Sequence, residues 1–238
     1  MVRIAVNGAL GRMGRMIADT IAHSDGAEPA AYIDIPQHPG IGTEYEGIVA
    51  TADKNSIAGS DAVIDFSLPG STVEMLDYCL KYKVPIVIGT TGLTGEQIEK
   101  VKKVSQKIPV VYSSNMSVGV NLFFRILKEA SGILNGYDIK ISEAHHVHKK
   151  DAPSGTAKTI VDIVNTAGNN IKYQDVAVTR EGEIIGDHSV VFDGLLDTFE
   201  IRHHARTRAI FADGAVRAAV WLAGRAAGLY DMQEVLFR

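Results

Sequence analysis

Three histidines and two lysines, His145, His146, His148, Lys149 and Lys150, fall within six positions of the stretch Glu143-Ala144-His145-His146-Val147-His148-Lys149-Lys150-Asp151-Ala152-Pro153-Ser154-Gly155-Thr156-Ala157. Packing alone gives no reason for such a run. Three chemistries are open to it: a metal site, a solvated basic turn, or a receptor for an anion. Metal is the weakest, because adjacent histidines on an extended strand point to opposite faces and no cysteine or close carboxylate pair completes a tetrahedral set. A solvated turn would be the plain reading if nothing followed it. Pro153-Ser154-Gly155-Thr156 instead opens a helix, with Ser154 a good N-cap and Gly155 leaving the backbone open to a ligand carboxylate. Lys149 adds a point charge, and His146 or His148 a further donor. The stretch reads as a receptor for a small molecule with one or two carboxylates. A histidine and a lysine beside a bound anion are also the usual proton donors at neutral pH. Reduction of a conjugated C=C–C=N system would take its proton here and its hydride from another domain.

A second constellation begins the chain. Val6-Asn7-Gly8-Ala9-Leu10-Gly11-Arg12-Met13-Gly14 joins a strand to a helix, and glycines three apart let the backbone turn tightly and approach a ligand. A pyrophosphate could sit on the free N–H groups and positive end of that helix. A glycine triplet alone is weak, since a purely structural turn also explains it. Its position decides: it follows an N-terminal strand, and Asp34 stands 20 residues after Gly14, where the dinucleotide fingerprint puts a ribose-binding carboxylate. Asp34 would repel a 2′-phosphate, whereas Arg12 would attract one or stack on adenine. The sequence leans toward NADH and leaves NADPH open. Two more loops, Asp65-Phe66-Ser67 and Gly89-Thr90-Thr91-Gly92, follow later strands and would lie at the carboxyl edge of the same sheet, where ligands bind in open α/β folds. Read alone, the second is equally a plain turn with Thr94 as N-cap.

The elements that must position these residues follow from periodicity. Strands are expected over residues 3–7, 30–33, 62–66, 85–88 and 109–112, alternating with helices over 11–23, 71–81 and 94–106. That alternation calls for a doubly wound parallel sheet. After Asn115 the pattern changes to a long helix over 118–134, a strand running into Glu143-Ala144-His145-His146, a helix over 156–166, and strands over 175–180, 187–192 and 198–204. These read as an α+β unit on an antiparallel or mixed sheet. A last helix, 209–228, is expected to return to the first domain. The domains are therefore set at 1–117 completed by 209–238, and 118–208. With 24 basic and 28 acidic residues the net charge is -4, leaving no global positive field for nucleic acid or an anionic membrane. No apolar run of about 18 residues occurs and no signal segment leads the chain, so a cytoplasmic protein is expected. The single cysteine, Cys79, reads as a reduced core thiol.

Taken together, the motifs resemble those of the dihydrodipicolinate reductase family. The matching elements are Gly8 to Gly14, Gly89-Thr90-Thr91-Gly92, Ser114-Asn115-Met116-Ser117-Val118-Gly119-Val120-Asn121, the stretch from Glu143 to Ala157, and Gly214-Ala215-Val216-Arg217-Ala218-Ala219-Val220-Trp221-Leu222, in the family's order. The His-His-x-His-Lys-x-Asp-Ala-Pro-Ser-Gly-Thr-Ala run is highly specific, while the glycine turn is shared with countless dehydrogenases. The resemblance implies a homotetramer that reduces a cyclic dicarboxylate with NADH or NADPH on the way to diaminopimelate and lysine, without a metal. It assigns protonation to His145 and Lys149, and the substrate carboxylates to His146, Lys149, Ser154, Gly155 and Thr156. Cofactor contacts fall on Gly8, Gly11, Arg12, Met13, Asp34, Phe66, Ser67, Gly89, Thr90, Thr91, Ser113, Ser114, Asn115 and Met116, with Arg208 near the nicotinamide. Three departures stand out. Met116 replaces an aromatic residue of many members, Asp34 is followed by Ile35 rather than a basic residue, and residues 35–47 form a short version of the region.

Two rival readings use the same residues. One is an amino-acid dehydrogenase of related build, of the aspartate or diaminopimelate type, which ammonia-dependent turnover of an oxo-acid would separate. The other is a nucleotide-sensing homologue without catalysis, against which the presence of both His145 and Lys149 speaks, although fold is no proof of function.

Overall fold

In the computed structural model, which describes residues 1–238, β1 (Val2–Asn7) is buried from Ile4 onward, as a central strand with both faces covered must be. Its alternate side chains feed two cores. Ile4 and Val6 join Ile17 and Ile21 of α1 (Arg12–Ala22) on one face, while Ala5 joins Met75, Leu76 and Cys79 of α2 (Pro69–Tyr82) on the other. The buried face of α1, Gly14, Ile17, Ala18 and Ile21, follows the three- and four-residue spacing of one helical stripe. Between these helices come β2 (Ala27–Ile33), the two-residue strands β3 (Glu44–Tyr45) and β4 (Ile48–Val49), and β5 (Ala62–Asp65). Beyond α2 the chain adds β6 (Ile86–Ile88), α3 (Gly95–Ser105) and β7 (Pro109–Tyr112). Thr94 caps α3 in a capping box with Gln97.

The second fold element set begins with α4 (Val118–Ile133), β8 (Asp138–His145) and α5 (Gly155–Asn165), followed by β9 (Ala177–Arg180), β10 (Gly186–Asp193) and β11 (Thr198–Ala205). Then α6 (Ala209–Leu222), β12 (Gly228–Tyr230) and α7 (Met232–Phe237) complete the chain. Two compact units result, Met1–Ser117 with Phe211–Arg238, and Val118–Ile210.

The first unit holds a six-stranded parallel sheet in the order β12-β7-β6-β5-β1-β2. The chain moves from β1 outward to β2 and then crosses to β5 on the other side of β1, so the switch point lies between the carboxyl ends of β1 and β5. The second unit holds a four-stranded sheet in the order β11-β10-β8-β9 with α4 and α5 packed on it. It is mixed rather than wholly antiparallel, because β9 runs parallel to β8. The inward side chains of β8 and β10 pair in register: Ile139 faces Phe192, Ile141 faces Val190, and Glu143 faces His188. The buried face thus changes from apolar to titratable along its length.

Several boundaries differ from the sequence expectations. The helix expected over 209–228 is α6 and ends at Leu222, and Gly224 adopts a left-handed φ of 83° just beyond it. The three residues of β12 are too few to show a period, and they become a strand because β7 offers an open edge. The β3–β4 hairpin and α7 were equally invisible to periodicity. No helix is long and apolar enough to cross a membrane. Cys79 is a buried free thiol whose pKa is pushed up by burial.

Candidate functional site

At the switch point the glycine turn is held by its neighbours. Gly8 has a φ of 81°, and a Cβ there would lie 2.4 Å from the Phe66 carbonyl oxygen, so no other residue lets the two loops approach. A Cβ on Gly14 would lie 2.0 Å from the Gly8 oxygen, which fixes the close seat of α1 on β1. Asp34 sits beside this turn, accepting the Leu10 N–H at 2.9 Å and the Ile35 N–H at 2.8 Å. No side chain caps α1, and its first turn carries no acid. Its leading N–H groups are therefore those a bound anion would satisfy.

One buried carboxylate ties the surrounding loops together. Asp65, at the end of β5, accepts from Ser67 Oγ at 2.5 Å, Thr90 Oγ1 at 3.2 Å and Asn7 Nδ2 at 3.3 Å. The Ser67 N–H donates to Thr90 Oγ1 at 2.9 Å. Phe66, Ser67, Gly89 and Thr90 are thus brought together with the glycine turn, and Thr91 follows exposed. Ser113 donates to the Asn115 carbonyl at 3.0 Å, and Asn115 Oδ1 accepts the Ser117 N–H at 2.9 Å, forming a tight turn after β7. Met116 is 2% exposed and packed in the core, with Gly214 of α6 against its carbonyl. The Met116 side chain lies in the core and offers no exposed stacking surface.

In the second unit, the loop from Glu143 to Ser154 is closed on itself by Glu143. Its Oε1 accepts the Ser154 N–H at 3.0 Å and Arg180 Nη2 at 3.0 Å. Burial pushes the Glu143 carboxyl up, but the Ser154 and Arg180 hydrogen bonds outweigh it and hold the group below the ordinary range. Glu143 Oε2 lies 3.5 Å from His145 Nδ1 and 3.7 Å from His188 Nε2. Burial lowers His145, and Lys149 and Arg180 lower it further against the pull of Glu143. His188 is pushed down to about 4, by burial first and then by His145. Lys149 Nζ pairs with Asp151 at 2.9 Å, and His146 Nε2 lies 3.3 Å from Arg208 Nη2. Ser154 caps α5 as its sequence position implied, its Oγ accepting the Ala157 N–H at 3.1 Å. Gly155 is exposed, with open space where a side chain would stand.

Comparison with known proteins agrees with this two-part construction. The dihydrodipicolinate reductase N-terminus model matches residues 2–116 and the dihydrodipicolinate reductase C-terminus model residues 119–236. The chain belongs to the dihydrodipicolinate reductase family. It is 41% identical to the 4-hydroxy-tetrahydrodipicolinate reductase of Bordetella pertussis over 98% of this chain and 97% of that one. It is 40% identical to the Methanoculleus marisnigri reductase over 99% of both. Among solved structures, a dipicolinate-bound dihydrodipicolinate reductase from Paenisporosarcina sp. TG-14 shares the fold, with a TM-score of 0.84, 23% identity and 98% coverage of each chain.

Within this family fold, the structure gathers His145, Lys149 and Ser154 around one loop and leaves His148 largely exposed, 3.7 Å from Glu183. Arg208, expected beside a nicotinamide, meets His146 in the second unit. Sequence reasoning gave no role to Glu143, Arg180 or His188. Glu143 was within reach, because a strand residue two before His145 shares its face. His188 and Arg180 were not: they arrive only through the pairing of β10 and β9 with β8, opposite Glu143 and His145 respectively.

Proposed function

We propose that this protein reduces 4-hydroxy-tetrahydrodipicolinate to tetrahydrodipicolinate with NADH or NADPH, in the route to diaminopimelate and lysine. The observation that carries this reading is the loop from Glu143 to Thr156, in which Glu143 fixes a buried histidine and an uncrowded helix N-terminus and Asp151 holds a lysine, in a chain that covers 97% of its Bordetella pertussis relative. The nicotinamide cofactor supplies hydride when bound. Gly8, Gly11, Arg12 and Met13 would hold its pyrophosphate and Asp34 its ribose. The loops at Phe66–Ser67, Gly89–Thr91 and Ser113–Met116 would border the nicotinamide end. The uncapped start of α1 and the close approach of Gly8 to Phe66 fit such a ligand.

The remaining roles belong to the second unit. Gly155, Thr156 and the Ser154-capped start of α5 take one substrate carboxylate, and His146, steadied by Arg208, takes part with Lys149 in holding the other. Lys149 gives the proton to the carbon beside the hydride acceptor. His145, whose pKa is lowered, is mostly unprotonated at neutral pH and assists as a hydrogen-bond partner rather than as the main acid. The outward face of the mixed sheet, which carries no helix, would supply the contacts of a homotetramer. We place the protein in the cytoplasm, and no metal is needed for these steps.

The deciding experiment follows NADH and NADPH oxidation with substrate freshly generated from pyruvate and aspartate semialdehyde. Substrate-dependent oxidation supports the reading. Oxidation that instead requires ammonia and an oxo-acid would replace it with an amino-acid dehydrogenase.

A further inference from the structure

The buried end of the second sheet holds more titratable atoms than the proposed reaction uses. Glu143 and His145 are two apart on β8 and share its inner face, and His188 stands opposite Glu143 on β10. One ligand atom from each of the three lies within 4.8 Å of the other two. All three residues are buried, at 3%, 7% and 5% exposure. Neither Glu143 Oε2 nor His145 Nδ1 has a hydrogen-bond partner. A fully buried carboxylate oxygen without a donor, aimed between two imidazoles, is an arrangement that asks for a bound water or ion.

We propose that Glu143, His145 and His188 form a three-ligand site for a divalent transition-metal cation such as Zn2+, and that its occupancy reversibly inhibits the enzyme by engaging His145.

The geometry suits that ion. Two ligands at alternate positions of one strand and a third on the adjacent strand converge on one side of a sheet. Bonds of about 2.0–2.2 Å in a tetrahedral site separate ligand atoms by about 3.4 Å. The Glu143–His145 and Glu143–His188 separations are 3.5 and 3.7 Å and no pair of the three ligand atoms is more than 4.8 Å apart, so the widest pair has to close by about 1.4 Å at most. Two imidazoles and a carboxylate are a donor set for zinc or cobalt, whereas calcium and magnesium demand oxygen. Ser154 Oγ, 3.4 Å from His188 Nε2, or a water stands ready for the fourth position.

The surrounding charge limits the affinity. Arg180 occupies the other Glu143 oxygen, and the Lys149–Asp151 pair adds no net charge, so a divalent ion enters a site with no spare anion. The site is therefore one that fills when the cation is in excess and empties to a chelator, not a resident cofactor site. The absence of contiguous ligands in the basic loop had hidden it, since the third ligand comes from a strand more than 40 residues on.

The binding half stands independently of the proposed function, and the inhibitory half rests on it. Metal-free full-length protein titrated with Co2+ should develop the visible absorption of four-coordinate cobalt at one ion per chain, and Zn2+ should displace it. In ring-nitrogen NMR, Zn2+ should shift His145 and His188 and leave the exposed His148 unmoved. His188→Gln keeps a hydrogen-bonding group but loses the imidazole. It should weaken Co2+ binding at least tenfold and shrink the ratio of rates without and with Zn2+ by the same order. If His188→Gln fails to fold, the wild-type NMR shifts decide alone. No four-coordinate cobalt spectrum, or shifts confined to surface histidines, overturns the site. Metal bound at these three residues in a protein that does not reduce the substrate leaves the site standing and removes the proposed function. Reduction that continues unchanged with the site filled removes the inhibition.

Discussion

Each unit buries one carboxylate near the end of a strand, and the two are pushed in opposite directions. Asp65 is surrounded by neutral donors from Asn7, Ser67 and Thr90, and burial outweighs them, raising its pKa. Glu143 is no more exposed in its side chain, but it meets the Arg180 guanidinium and the Ser154 N–H, and these outweigh burial and lower its pKa. Burial alone therefore does not set the charge; the partner does. The difference suits what each is proposed to organise. A carboxyl drawn toward its neutral form can knit loops together at an edge meant for an anionic dinucleotide without repelling it. A carboxylate held in its charged form by Arg180 fixes the Ser154 start of the helix proposed to receive an anionic substrate.

The largest effect should come from the charged side of this contrast. Lys149→Ala should lose about 10²–10⁴-fold in kcat, the usual worth of a positioned acid, and His145→Ala less. Steady-state rates of both variants equal to wild type would end the assignment of the acid. Next, Glu143→Gln leaves Arg180 without its counter-charge and should cost about 3 kcal/mol in urea denaturation. Because the folded-state pKa of Glu143 lies below its unfolded value, its stabilisation is present above the ordinary carboxylate range and lost as pH falls through the depressed value. Glu143→Gln should remove that part of the acid-side decline, and an unaltered pH dependence of stability would refute the charged state.

On the neutral side the effects shrink. Asp34→Ala should move the ratio of kcat/KM values toward NADPH by about tenfold, the worth of one hydrogen bond to a charged group. An unchanged ratio would take Asp34 out of the cofactor site. Asp65→Asn keeps an uncharged group among neutral donors and should change stability by about 1 kcal/mol or less. Here the folded-state pKa is raised, so the contribution is fully present below the unfolded value and declines as pH rises through the folded one. Wild type should show that decline and Asp65→Asn should not; the same slope in both would mean that Asp65 is not raised.

The same contrast explains what the sequence made legible. The glycine turn, the cap at Ser154 and the stripe of α1 are local: each needs only residues a few positions apart, and each is found where its spacing implied. Asp34, 24 residues from the Leu10 N–H it accepts, is legible only because the dinucleotide fingerprint fixes that long spacing. Asp65 could be placed at the carboxyl edge because β5 ends there, but not recognised as the knot joining three loops, since Thr90 lies 25 residues away. The Glu143 cluster needed the register of β9 and β10 against β8, which no periodicity supplies. The same holds for β12, whose three residues take their conformation from the edge of β7.

The central claim, that the charged loop of the second unit receives the dicarboxylate, is tested most directly by calorimetric titration with pyridine-2,6-dicarboxylate. Wild type and Asp34→Ala should bind it alike, and Lys149→Ala at least tenfold more weakly. Equal affinity in wild type and Lys149→Ala, or a loss confined to Asp34→Ala, would contradict it.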